Sequence, residues 1–169
     1  MGLKMIRTAM LGVAAMALGA MTTTSVSAAE ATLTGVHNCC KSCVKGIDAA
    51  VTGAGAKARI DKSTVTVTAD DDAGVKKAVD ALLAAGYYGN GATTTAAAPS
   101  DAKAKSVTIE GIHLCCGKCV TALNKAVTAA GATKTDAAKN AKTVVVEGDV
   151  SPKDVLEALH KAGFNATVK

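Results

Sequence analysis

Residues 32–56 read TLTGVHNCCKSCVKGIDAAVTGAGA, and residues 108–132 read TIEGIHLCCGKCVTALNKAVTAAGA. The second stretch repeats the first at a constant offset of 76, from Cys39 to Cys115 as from Val51 to Val127. Gly35, His37, Cys39, Cys40, Cys43 and Gly55 thus fall opposite Gly111, His113, Cys115, Cys116, Cys119 and Gly131. Self-similarity at a fixed spacing marks copies of one structural unit. The copies realign near their ends, where Leu82 to Tyr87 matches Leu159 to Phe164. The repeat places one domain over residues 29–90 and a second over 106–169. Residues 91–105, rich in Ala and Thr with Pro99-Ser100, lack apolar periodicity and read as a linker.

Inside each copy the hydrophobic period alternates. Ala31 to Val36 is short, β-branched and bounded by glycine, which predicts a strand. Val44, Ile47 and Val51 recur at i, i+3 and i+7, and Val120, Leu123 and Val127 repeat them; each set predicts one face of a helix. Gly53-Ala54-Gly55 stops the first of these helices, and Ala56 to Ile60 predicts a strand. Asp61-Lys62 predicts a turn, and Thr64 to Thr68 alternates at period two as a strand should. Thr143 to Val146 is its counterpart, after a polar turn at Asp136 to Lys142. The run Asp70-Asp71-Asp72 lacks calcium-loop spacing and predicts a helix start. Ser151-Pro152 with Asp154 predicts another. Gly86 and Gly163 occupy the position that favours glycine after a helix. Phe164 to Val168 predicts a closing strand in copy two, whereas Gly89, Asn90 and Gly91 weaken its equivalent in copy one. The order is β-α-β-β-α-β, so the expected fold class is α+β: two tandem ferredoxin-like βαββαβ domains.

A leader precedes them. Lys4 and Arg7 form a positive segment, Ala9 to Met21 is apolar and uncharged, and Val26-Ser27-Ala28 has the small residues a signal peptidase requires. Residues 1–28 therefore read as a signal peptide, and the mature chain is expected to be exported, periplasmic or secreted, without a membrane span. Net charge is +5, from 19 Lys and Arg against 14 Asp and Glu. Removing Lys4 and Arg7 leaves +3, scattered over the chain, which excludes the clustered basic face of a nucleic-acid binder. With Tyr87, Tyr88 and Phe164 the only aromatics, base- or sugar-stacking platforms are excluded too. Tyr87 and Phe164 are expected in the core. His160 and the lysines Lys41, Lys45 and Lys118 are expected in solvent.

The cysteines carry the chemistry. All six, with two of the three histidines, lie in two copies of His-x-Cys-Cys-x-x-Cys: His37, Cys39, Cys40, Cys43 and His113, Cys115, Cys116, Cys119. Each motif bridges a predicted strand end and a predicted helix start. Free N–H groups and the positive dipole end there favour thiolate over thiol. Thiolates select soft cations such as Cu(I) and Zn(II), and three sulfurs with one imidazole form the donor set of a Cys3His zinc site. Disulfides are the competing use: six cysteines admit 15 pairings, although clustered cysteines cross-link little chain. Thiol–disulfide catalysis is a third reading, disfavoured because no proline besides Pro99 and Pro152 is available for a thioredoxin-type site. No other catalytic constellation is present, and the chain is read as a non-enzyme.

Element order, Cys-x-x-Cys at Cys40/Cys43 and Cys116/Cys119, and the late pairs Gly86-Tyr87 and Gly163-Phe164 give each half a likeness. Each resembles a heavy-metal-associated domain, the module of copper chaperones and of metal-pumping ATPase tails. The resemblance implies one soft ion per domain, usually Cu(I), held by the Cys-x-x-Cys pair and passed to a metal-transporting or metal-receiving partner. It also implies that the late aromatic packs under the metal loop. The sequence departs from the family's Gly-Met-x-Cys-x-x-Cys. Val36 and Ile112, or Asn38 and Leu114, stand in the Met place, and Cys39, Cys115, His37 and His113 are additional. These four are expected to complete or tune the two sites.

Overall fold

The computed structural model describes residues 28–94 and 98–169. The expected signal peptide, up to residue 27, lies outside them. The first half runs β1 (Ala29–Leu33), α1 (Lys41–Gly53), β2 (Lys57–Asp61), β3 (Thr64–Ala69) and α2 (Asp72–Ala84). The second runs β4 (Ala104–Glu110), α3 (Gly117–Ala129), β5 (Ala132–Thr135), β6 (Thr143–Val150), α4 (Pro152–Lys161) and β7 (Thr167–Val168). Two antiparallel sheets result, ordered β1-β3-β2 and β5-β6-β4-β7. Among the described residues, this mixed α/β architecture of two sheets and four helices is consistent with a ferredoxin-like fold. Among the described residues no helix is long and apolar enough to cross a membrane.

Central strands carry the pattern expected of them. β3 buries Val65 and Val67, and β6 buries Val144 and Val146, so one face of each sheet meets its helices. Asp71 caps α2 by accepting the Gly74 N–H at 2.7 Å, and Ser151 caps α4 by accepting the Asp154 N–H at 3.0 Å. Lys62 turns the β2–β3 hairpin with φ of 51°.

The helix face differs from expectation by one position. α1 buries Cys43, Ile47 and Val51, and α3 buries Cys119, Leu123 and Val127, whereas Val44 is 39% exposed. The core stripe therefore runs i, i+4, i+8 and begins at the cysteine itself. The reason is that the sulfurs must face inward: once Cys43 points into the fold, Val44 is rotated about 100° away from it.

Strand ends differ as well. β1 stops at Leu33, two residues before Gly35 turns the chain at φ of 78°. The expected fourth strand of the first half is reduced to one bridge, Thr34 to Asn90, among the described residues; that half is βαββα there rather than βαββαβ. The glycines around Asn90 offer no side chains to hold a strand on the sheet. In the second half, β7 covers only Thr167–Val168, because Phe164 and Asn165 pair with the first half instead: Phe164 bridges Tyr87, and the Asn165 N–H donates to the Gly86 carbonyl at 3.0 Å. β4 begins at Ala104, inside the expected linker, whose end is tied down where the Lys153 N–H donates to the Ser100 carbonyl at 3.0 Å.

Candidate metal centre

Each Cys-Cys-x-x-Cys run begins in the loop after a first strand and ends in the first turn of a helix. Cys40 and Cys116 are the N-cap residues of α1 and α3, both extended, with φ of −161° and −154°. An extended N-cap aims its side chain back over the free amides of the first turn. No geometrically ordinary side-chain capping bond forms there, since sulfur is large. The amides nevertheless favour the thiolates. The Cys43 amide, then the neighbouring thiols and the Ser42 amide, lower Cys40 to about 6 against the cost of desolvation. The Cys119 amide leads the same effect at Cys116. Burial, aided by neighbouring thiols, pushes Cys39 and Cys115 up, and burial also raises Cys119. Lowered and raised thiols are thus interleaved.

The two motifs, expected to form separate sites, come together. Cys39 Sγ lies 3.5 Å from Cys116 Sγ and 3.6 Å from Cys119 Sγ. Cys115 Sγ lies 3.5 Å from both Cys40 Sγ and Cys43 Sγ. Within each pair, Cys40–Cys43 and Cys116–Cys119 are 3.7 and 3.6 Å apart. Cys39–Cys43 at 3.8 Å and Cys115–Cys119 at 3.7 Å join the rest. All six sulfurs form one connected group, and all six thiols are free. Adjacent cysteines share the neighbourhood: the Cys39 and Cys40 sulfurs lie within 4.8 Å of each other, as do those of Cys115 and Cys116. Against the expected one site per domain, the sulfurs of both motifs lie in one connected group where the halves meet, and Cys39, Cys40 and Cys43 of the first motif still lie within 4.8 Å of one another.

Both expected histidines are half-buried beside it. An imidazole nitrogen of His37 lies within 4.8 Å of the Cys39 and Cys119 sulfurs, and one of His113 lies within 4.8 Å of Cys43 and Cys115. Burial holds both imidazoles below their ordinary 6.5, toward the neutral form a metal requires. Their surroundings are crossed between halves. His37 stacks on Phe164 with ring centroids 4.2 Å apart, and His113 packs on Tyr87 at 4.6 Å. Tyr87 and Phe164 are buried as expected, at 2% and 0% exposure. The Tyr87 hydroxyl donates to the Cys43 carbonyl at 3.2 Å and lies 3.0 Å from His113 Nε2. Phe164 has no hydroxyl, and His37 Nε2 is buried without a hydrogen-bond partner.

Glycines make the crossing possible. The Gly163 carbonyl accepts from His37 N at 3.2 Å and Tyr88 N at 3.1 Å. A Cβ on Gly163 would collide with the His37 amide and the Gly35 carbonyl; one on Gly86 would lie 2.7 Å from the His113 amide. Gly163 and Gly86 have positive φ, 82° and 88°, as a helix-ending glycine does, so turning and close approach coincide there. His160, expected in solvent, is instead half-buried: it stacks on Tyr88 at 3.7 Å, with Nε2 3.1 Å from Asn165 Oδ1. Asn165 in turn donates to the Leu83 carbonyl at 2.9 Å. Neither Tyr88 nor Asn165 stood out in the sequence, since these aligned positions carry unlike residues. Lys41, Lys45 and Lys118 are exposed, as expected, around the cluster's rim.

Residues 106–165 match the family described as heavy-metal-associated domain. That stretch spans β4 to the end of α4 and contains Cys115, Cys116, Cys119 and His113. Domains of that family are metal-binding modules rather than enzymes, so the similarity is consistent with a non-enzyme. No match was found among curated proteins or among solved structures.

Proposed function

We propose that this chain, whose second half carries a heavy-metal-associated domain, is an exported protein that buffers Cu(I) or Zn(II) or passes it to a metal-transporting or metal-receiving partner. The first half is a second, divergent copy of the domain, a reading supported by the shared repeat and by the common order of its first five elements. Six free sulfurs in one connected group, spaced 3.5–3.8 Å, carry the proposal. A tetrahedral ion with metal–sulfur bonds of about 2.3 Å needs sulfurs about 3.8 Å apart, so small shifts bring any three neighbours into place. Soft donors exclude calcium and magnesium as cargo. Helix amides that favour the Cys40 and Cys116 thiolates lower the proton cost of loading.

The test is anaerobic purification, followed by measurement of metal content and of alkylatable thiols after Cu(I) or Zn(II) is supplied. Bound metal with thiols protected supports the proposal, and the competition between the two ions names the cargo. A variant with all six cysteines changed to serine should bind neither. A thiol–disulfide protein, or one stapled structurally by disulfides, would instead emerge from its host with cysteines paired and no metal. That reading is favoured only by the sub-4 Å thiol contacts, which metal binding uses equally.

A further inference from the structure

We infer that the cluster holds two soft d10 cations in crossed sites, each formed by the Cys-x-x-Cys pair of one half and the extra His-x-Cys arm of the other. One site is Cys116, Cys119, Cys39 and His37; the other is Cys40, Cys43, Cys115 and His113. This rests on the metal-binding reading above and adds which sulfurs act together and what the ions join.

Three independent observations agree on the pairing. The first is distance. Cys39, Cys116 and Cys119 form a closed triangle with edges of 3.5, 3.6 and 3.6 Å. Cys40, Cys43 and Cys115 form the mirror triangle with edges of 3.7, 3.5 and 3.5 Å. The triangles within one half are looser: Cys39–Cys43 is 3.8 Å and Cys115–Cys119 3.7 Å, and the adjacent sulfurs Cys39–Cys40 and Cys115–Cys116 are grouped only within 4.8 Å. The second is the backbone. Cys40 and Cys116 are helix caps, 3.7 and 3.6 Å from the cysteine one turn on, whereas Cys39 and Cys115 precede the caps in the loop and lie 3.5 Å from the cap cysteine of the other half. The third is the imidazoles: His37 approaches the site of Cys119, and His113 the site of Cys43, again across the halves.

The buried, unpartnered Nε2 of His37 distinguishes the two sites. Its equivalent on His113 is engaged by the Tyr87 hydroxyl. Leaving a buried polar nitrogen without a partner is unfavourable, and a cation beside Cys39 and Cys119 would relieve it. The crossed arrangement also explains the additional cysteines. A Cys-x-x-Cys pair supplies two sulfurs to an ion, and the third arrives from the facing loop, carried on the His37 and His113 backbone amides that seat against Gly163 and Gly86. Metal in either site therefore ties one half to the other, and loading is coupled to their docking.

Two triple variants of the full chain separate crossed from uncrossed sites. C39S/C116S/C119S removes one crossed triangle and leaves the other whole. C39S/C40S/C43S removes one half's cysteines and leaves only the looser set Cys115, Cys116 and Cys119. Each is loaded anaerobically with Cu(I), then with Zn(II), against a graded chelator. Stoichiometry and the sulfur coordination number from X-ray absorption are recorded, and circular dichroism of the metal-free proteins checks the fold. The expected result is two ions in the parent chain, one three-sulfur ion in C39S/C116S/C119S, and no three-sulfur ion in C39S/C40S/C43S. Residual binding in the last should be weakened beyond the about 10–100-fold that loss of a ligand's supporting partner produces. The reverse order, or equal binding by both variants, overturns crossing while leaving metal binding intact. A parent chain that takes up neither ion overturns the metal reading itself.

Discussion

At the residue scale, one oxygen atom separates the two copies. Tyr87 and Phe164 occupy equivalent places, yet only Tyr87 bonds the Cys43 carbonyl and His113 Nε2. Changing Tyr87 to Phe would leave His113 as unpartnered as His37 is now. Loss of a buried bond of this kind costs about 1–3 kcal/mol, so Y87F should lower the urea midpoint of the metal-free protein with an unchanged denaturant slope. His160 sets a second expectation. Burial lowers its pKa from 6.5, with the Asn165 bond and Glu157 pulling weakly upward. The folded state therefore takes up the proton later than the unfolded chain, and stability falls as pH drops from 6.5 toward the lower folded value. H160N should flatten that part of the stability–pH curve, measured by denaturation between about pH 7 and 5.

At the scale of elements, the face of a helix is decided by its most constrained side chain. The valine spacing in the sequence is compatible with a stripe starting at Val44, but Cys43 claims that stripe because it must meet sulfurs from another element. Ile47 belongs to both versions and is fully buried. I47A should cost about 2–5 kcal/mol, while V44A should stay within about 0.5 kcal/mol of the parent; both are readable by chemical denaturation. The strand ends teach the same lesson. Phe164 to Val168 has strand composition, yet Phe164 and Asn165 leave their own sheet to pair with Tyr87 and Gly86. G163A should be destabilising by more than about 1 kcal/mol, since φ of 82° strains a side chain and its Cβ meets the His37 amide. The variant should also bind metal less well, which chelator competition would show, whereas alanine at the exposed Gly117 should not affect docking.

At the scale of the whole molecule, the cysteines sit where two halves meet, so metal and stability are linked. A ligand that binds only the folded state at a free concentration 100 times its Kd adds about 2.7 kcal/mol. For a chain of this size each kcal/mol is worth about 2–4 °C. Calorimetry should therefore show Tm rising by about 5–10 °C on loading, with the halves unfolding together, and no rise when all six cysteines are serine. A shift without the cysteines would place the stabilising ion elsewhere. The low aromatic content of the chain makes this link useful: its buried core is mostly Val, Ile, Leu and Ala, with Tyr87 and Phe164 placed at the junction itself.

The sequence alone carried the repeat, the order of the first five elements of each half, the helix start at Asp70 to Asp72 and the cap at Ser151, and the eight residues that gather around the sulfur cluster. These follow from local physics: periodicity, capping chemistry and thiolate preference act over a few neighbouring residues. Which sulfurs of the two copies lie side by side follows only from the packing of one half on the other. Cys39, beside Cys40 in the chain, lies 3.5 Å from Cys116 and 3.6 Å from Cys119 in space, and His160 is stacked on Tyr88 rather than solvated. Such pairings depend on how one half docks against the other through Gly86 and Gly163. No period or spacing within a single copy encodes a contact made across two.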